Sequence, residues 1–197
     1  MRKIEEFWIE FDEKPPKAPI KSFIFDVTDS LKGAVIVAFV VFCMVFRVIG
    51  VEGTSMYPTL NDGDWIAVSG HSFSVDRGDI IVANPPWERN VPIVKRVIAI
   101  GGDTVNIDFI SGNVYVNDVK LDEPYIDELT TLQGNVSFPL EVPEGTVFVM
   151  GDNRGNSLDS RSSKIGCVDE RYILGEMLFR FYNAENKKPD KGVSENG

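Results

Sequence analysis

The sequence predicts a mostly β domain carried behind a single N-terminal membrane helix. Three observations predict it. Gly33 to Phe46 is an unbroken apolar run. With Arg47 at an interface, it extends to Val51, which is about 28 Å of helix and close to a bilayer core. After Leu60 the pattern changes to short β-branched and aromatic segments divided by Gly, Asn, Asp and Pro turns. No strong helical pattern and no internal repeat follows.

Taken in order, residues 1–19 are charged and hold Pro15, Pro16 and Pro19. They read as a loosely ordered arm with a small sticky patch, Phe7, Trp8, Ile9 and Phe11. Ile20, Phe23, Ile24, Val27 and Leu31 fall at helical spacing, with Asp26 and Asp29 on the polar side. A helix is expected to run from there into the span. The boundaries read from this are 1–30 for a cytoplasmic arm and amphipathic helix, 31–51 for a transmembrane anchor, 52–183 for an extracytoplasmic domain and 184–197 for a disordered polar tail. The apolar core starts too late for a cleaved leader, and no small-x-small site follows it. Lys14, Lys17, Lys21 and Lys32 precede the span, and no Lys or Arg stands between Glu52 and His71. That places the N-terminus in the cytoplasm and the large domain outside.

In that domain, Asn61-Asp62-Gly63-Asp64 is a turn, and the expected strands are Trp65–Val68, Asp79–Ala83, Val91–Ile100, Thr104–Ile107, Asn113–Val116, Thr146–Met150 and Gly175–Tyr182. Asn117-Asp118 suits a two-residue hairpin turn. The net charge of −10 argues against nucleic acid and against a polybasic lipid-binding surface. Cys43 lies in the apolar run and Cys167 far away, so no disulfide scaffold is expected. No metal or cofactor is expected either.

Chemistry gathers in three segments. A strand over Val91–Ile100 would be apolar on both faces, with Lys95 at the centre of one and Arg96 at the centre of the other. Burial lowers the pKa of a lysine and so makes a base of it, whereas an arginine keeps its charge and needs an acidic partner. The bland alternative is a Lys95 that reaches solvent from a half-buried strand. Ser55, in Gly53-Thr54-Ser55-Met56-Tyr57-Pro58-Thr59-Leu60, is either a loop serine or a nucleophile. It lies only four residues past Val51, a reach of at most roughly 14 Å. The single histidine, His71, sits in a polar loop segment, so a Ser-His-Asp triad is poorly supplied and a Ser-Lys dyad is the variant left. The third segment, Gly151-Asp152-Asn153-Arg154-Gly155-Asn156-Ser157-Leu158-Asp159-Ser160-Arg161, is either a solvated loop or the support of such a site.

These three segments, in this order behind an apolar N-terminal run, resemble the signature boxes of type I signal peptidases in their compact Gram-positive form. The likeness runs from about residue 20 to 182 and includes a minor box, Asp64 with Asp79-Ile80. It implies an all-β, two-lobed serine protease fold and removal of signal peptides after small residues at −1 and −3. Ser55 would be the nucleophile and Lys95 the general base. Ser157 would orient Lys95, and Asp159 would pair with Arg96 and Arg161. The backbone N–H of Ser55 would serve the oxyanion hole. The substrate would add as a strand between Val48–Gly53 and Pro92–Lys95. Val51, Gly53, Met56, Leu60, Ile93 and Val94 would be its contacts. Implied partners are the signal peptides of exported preproteins, membrane lipid and, as an allowed addition, the secretion machinery. Three departures stand out: Gly53 where the Gram-negative form has an oxyanion serine, Ala99 for a usual Gly, and Gly155 for a common Asp. Two other readings compete. One is a self-cleaving Ser-Lys regulator of the LexA type, which would be soluble. The other is a non-enzymatic, membrane-anchored β-domain such as an adhesin, which needs no buried lysine.

Overall fold

A computed structural model of the chain describes residues 20–70, 74–86 and 91–184, with side chains outside 20–26, 41 and 43–45. The expected N-terminal arm, His71 and all but the first residue of the polar tail lie outside the described residues. Two units are distinguished, residues 1–43 and 44–197.

In the first unit, helix α1 begins at Ile20, and it ends at Val45, two residues into the second unit. Lys32 and Asp29 pair along its surface at 2.9 Å. Leu31, Val35, Ile36, Val37 and Phe39 are all exposed. Among the described residues no helix is long and apolar enough to cross a membrane. The helix also stops short of Val51, to which the sequence reading carried the span. Phe46–Gly50 is instead a strand, β1. Its residues pair with β2, Trp65–Ser69, from Phe46↔Ser69 to Gly50↔Trp65. The backbone groups of this stretch are thus satisfied in a sheet rather than within a helix. An apolar run alone does not distinguish the two cases.

Nine further strands follow: β3 Ile80–Ala83, β4 Ile93–Ile100, β5 Thr104–Asp108, β6 Asn113–Val116, β7 Val119–Lys120, β8 Leu140–Glu141, β9 Thr146–Met150, β10 Val168–Asp169 and β11 Ile173–Tyr182. A seven-stranded sheet has the order β1-β2-β11-β3-β4-β9-β10, and a four-stranded sheet the order β7-β6-β5-β8. Every pairing is antiparallel. The seven expected strands all form, with ends shifted by a residue or two. Asn117 and Asp118 take φ of 52° and 64°, as a tight hairpin between β6 and β7 needs. The short strands β7, β8 and β10 were not expected, because two residues carry no readable period.

Strand β4 is the spine. One core cluster joins Ile98 and Ala99 of β4 and Phe148 and Met150 of β9 to Val105, Ile107, Val114 and Val116 of the smaller sheet. A second packs Ile81, Val97 and Val149. A third gathers Val51, Met56, Leu60, Ile66, Val68 and Val82 beneath the serine segment. Lys95 therefore stands on a packed strand, and the turn that carries Ser55 rests on a packed cluster.

Candidate active site

The serine segment leaves β1 and turns back on itself. Val51 N–H donates to Asp64 O at 2.8 Å, Gly63 N–H to Val51 O at 2.9 Å and Leu60 N–H to Met56 O at 2.9 Å. Buried Met56 and Leu60 anchor the turn from below. Gly53 has φ +84°, a region that side chains with a Cβ rarely adopt. Its N–H is committed to Asp62 Oδ1 at 2.7 Å. It therefore does not supply the hydrogen bond lost with the missing serine hydroxyl.

Across from this turn, β4 presents Lys95, whose Nζ lies 2.7 Å from Ser55 Oγ and donates to Val94 O at 3.0 Å. Lys95 is only 4% exposed. The snorkelling alternative is thereby excluded. Burial pushes its pKa down, the charges of Asp159 and Asp152 pull it partly back, and it comes to about 8. A lysine of that kind is substantially neutral in mild alkali and can accept a proton from the hydroxyl beside it.

The segment after β9 holds both parts together. Asn153 N–H donates to Ser55 O at 3.0 Å, and the Asn153 amide to Thr54 O at 3.0 Å. The Asn156 amide donates to Thr54 Oγ1 at 3.1 Å. Gly151 sits so close that a Cβ there would collide with Ser157 Oγ and Ser55 O. Asp159 accepts from Arg161 Nε and Nη2, both at 2.8 Å, and from Gly151 N–H at 3.0 Å. Burial disfavours the charge on Asp159, yet Arg161 and these donors hold its carboxyl below the usual carboxylate range.

One expected pairing needs correction. Arg96 does not bond Asp159 but Asp152, through Nε at 2.8 Å and Nη2 at 2.6 Å. The reason lies in register. Arg96 pairs with Met150, so the chain leaving β9 brings Asp152 alongside Arg96, while Asp159 is already saturated by Arg161. Thr59 Oγ1 also donates to Asp152 at 2.5 Å, which ties the serine segment to Arg96. The Arg96 guanidinium lies 3.9 Å from the centre of the Tyr125 ring, and Arg154 pairs with Glu123 at 2.6 Å. Sequence reasoning missed Asp152, which requires the β4–β9 register, and Tyr125 and Glu123, which lie in irregular chain between β7 and β8.

The expected hydrogen bond from Ser157 to Lys95 is not among those of the described residues. Its Oγ is buried and makes no ordinary hydrogen bond among the described residues, although it lies near enough to help hold Asp159 low. The Lys95 amine bonds Ser55 Oγ and Val94 O.

A cavity of about 630 Å³ opens over the pair. Of the expected substrate contacts, Val51, Gly53, Met56, Ile93 and Val94 line it, together with Ser55 and Lys95. Leu60 does not. It is fully buried in the core beneath, because the turn that follows Ser55 folds it inward. Asn156 and Leu158, not singled out in the sequence, do line it. No group of acidic, His or Cys residues among the described residues could hold a metal ion.

The comparisons with known proteins point the same way. The family described as "Signal peptidase, peptidase S26" matches residues 24–182. A signal peptidase I of Bacillus licheniformis is 36% identical over 173 residues, covering 82% of this chain and 90% of that protein. Signal peptidase I S of Bacillus subtilis (strain 168) is also 36% identical, covering 82% and 91%. A crystal structure of a signal peptidase I from Enterococcus faecalis V583 covers 54% of this chain and 98% of that one at 33% identity, with a TM-score of 0.44. On the extent of the family match and of the two Bacillus relatives, the chain belongs to the signal peptidase family, peptidase S26, and is a serine peptidase of the signal peptidase I type.

Proposed function

We propose that this chain is a membrane-anchored endopeptidase that removes signal peptides with a Ser55–Lys95 dyad. The observation that carries the proposal is a buried lysine amine 2.7 Å from a serine hydroxyl at the floor of a substrate-sized cavity.

The chemistry follows from that pair. Neutral Lys95 takes the Ser55 proton as Oγ attacks the carbonyl carbon of the scissile bond. The Ser55 N–H is the expected oxyanion donor. Lys95, now an ammonium, returns its proton to the departing amine of the mature chain, and an acyl-enzyme remains. Water then attacks the ester while Lys95 takes its proton, and Lys95 passes that proton to the departing Ser55 Oγ, which frees the signal peptide as a carboxylic acid and restores both residues. Asp159, Arg161, Arg96 and Ser157 support this geometry without touching the substrate.

Two unfilled strand flanks favour an extended substrate. β1 is the edge of its sheet. β4 pairs with β3 from Ile93 to Arg96 but with β9 only from Arg96 onward, so Ile93–Lys95 have no strand partner on that flank among the described residues. A signal peptide adding there would lay alternate side chains against Val51, Met56, Ile93 and Val94. Small side chains at −1 and −3 are the proposed fit to these mostly buried walls.

The anchor is α1. Its exposed apolar surface is of the kind that marks membrane contact. Lys14, Lys17, Lys21 and Lys32, all before the apolar run that starts at Gly33, favour a cytoplasmic N-terminus. Membrane lipid is then a partner, and the nearby secretion machinery a candidate one.

The pH dependence tests the dyad. With Lys95 as base, kcat/KM rises with pH through about 8, and His71→Ala has the same limb. Measuring both enzymes from about pH 5 to about pH 10 decides it. A limb at acid pH that disappears in His71→Ala would mean a histidine base.

A further inference from the structure

The groove between β1 and β4 has a built-in end. β1 and β4 run in the same direction, because β2, β11 and β3 lie between them and each pairing is antiparallel. The two strands thus advance together, one toward Ser55 and the other to Lys95. One step past Lys95, the flank of β4 is no longer open, since Arg96 pairs with Met150 at the end of β9. A substrate strand lying on Ile93–Lys95 therefore meets β9 head-on at the dyad. For a substrate running in the same direction as β1 and β4, whatever follows the scissile bond has to turn out of the sheet there.

The segment it turns across is the one that continues β9. Of the cavity lining, only Asn156 and Leu158 come from this segment. The rest belongs to Ile49–Met56, Val82 and Val91–Lys95. Asn156 is fixed, its amide donating to Thr54 Oγ1 beside the nucleophile. Leu158 is 41% exposed, an apolar side chain left at the mouth of a catalytic cavity. Its neighbours Ser157 and Asp159 are turned into the buried support, so the backbone that carries Leu158 is held on both sides.

We infer that Leu158, with Asn156 beside it, forms the subsite for the first residue after the scissile bond, and that Leu158 sets the preference there. This rests on the Ser55–Lys95 reading, since the position of the cut defines which residue comes first. The preserved residue is the new N-terminus of the mature chain, so the subsite would choose among mature proteins rather than among signal peptides. An apolar Leu158 favours uncharged side chains at that position over carboxylates and ammonium groups, which would lose water on contact with it.

The test uses the full-length enzyme in detergent and a peptide set with a constant signal-peptide half ending in Ala-x-Ala. The first mature residue is varied through Ala, Leu, Lys and Glu, and a second set varies −1 and −3. In Leu158→Glu the kcat/KM ratio of Lys to Glu at the first mature position rises about fivefold, the size of one exposed charge contact. In Leu158→Lys the same ratio falls by a similar factor. The −1 and −3 preferences stay as in wild type. Unchanged ratios in both variants, or a change confined to −1 or −3, overturn the assignment. Ser55→Ala is run on the same peptides. If it cleaves them, the dyad itself is wrong. If it is inert while the Leu158 variants keep wild-type ratios, the subsite alone falls.

Discussion

At the scale of the residue, Lys95 is the costly member of this fold. It is buried, no carboxylate bonds its amine, and its pKa lies near 8 against an ordinary 10.5. Between those values the unfolded chain binds the proton and the folded one does not, so stability rises with pH across that window. Below about pH 8 the full penalty applies, about 3 kcal/mol for a lysine lowered from 10.5 to about 8. Lys95→Met, which removes the charge at similar volume, is expected to be more stable than wild type by about that amount at pH 7, and nearly equal to it above about pH 10.5. Urea unfolding at the two pH values measures it, and equal stability at pH 7 would contradict the buried-cation account. Lys95 was legible in the sequence because a cation stands at the centre of each face of an apolar strand. Asp152 was not, because its contact with Arg96 depends on which residue of β9 faces which residue of β4. Leu60 was misread for a related reason: sequence nearness to Ser55 does not reveal that the turn sends it inward.

At the scale of the element, the segment from Gly151 to Arg161 does most of the positioning. It has no regular structure, yet it bonds the serine segment through Asn153 and Asn156 and closes on itself through Asp159 and Arg161. Both partners of that ion pair are buried. Removing one leaves the other uncompensated, which typically costs about 3–5 kcal/mol. Asp159→Ala is therefore expected to lose stability of that order along with activity, and thermal unfolding beside kinetics measures both. A loss under about 1 kcal/mol would show that the pair carries little of the fold. The sequence displayed this segment as a dense polar run, which served equally well for a solvated loop. The long strands were legible from their apolar patterns and turn residues. β1 was not, since Phe46–Gly50 continues the apolar run of the helix and only its partner, β2, shows it to be a strand.

At the scale of the whole molecule, the chain joins an exposed apolar helix to a β domain whose nucleophile follows β1 by a few residues. Under the proposed anchoring, the short stretch of chain between α1 and Ser55 limits how far the dyad can stand from the membrane, which would raise its effective concentration for a membrane-bound substrate. The order of the three segments carried the family likeness, whereas the helix boundary and the support contacts needed the structure. The measurement that tests the central claim is processing of an added preprotein by alkali-washed membranes that carry wild type, Ser55→Ala or Lys95→Ala. The account predicts that wild-type activity stays with the washed membranes and that each variant loses it while keeping its thermal stability. Cleavage within tenfold of wild type by either variant would contradict the dyad, and activity released into the wash would contradict the anchor.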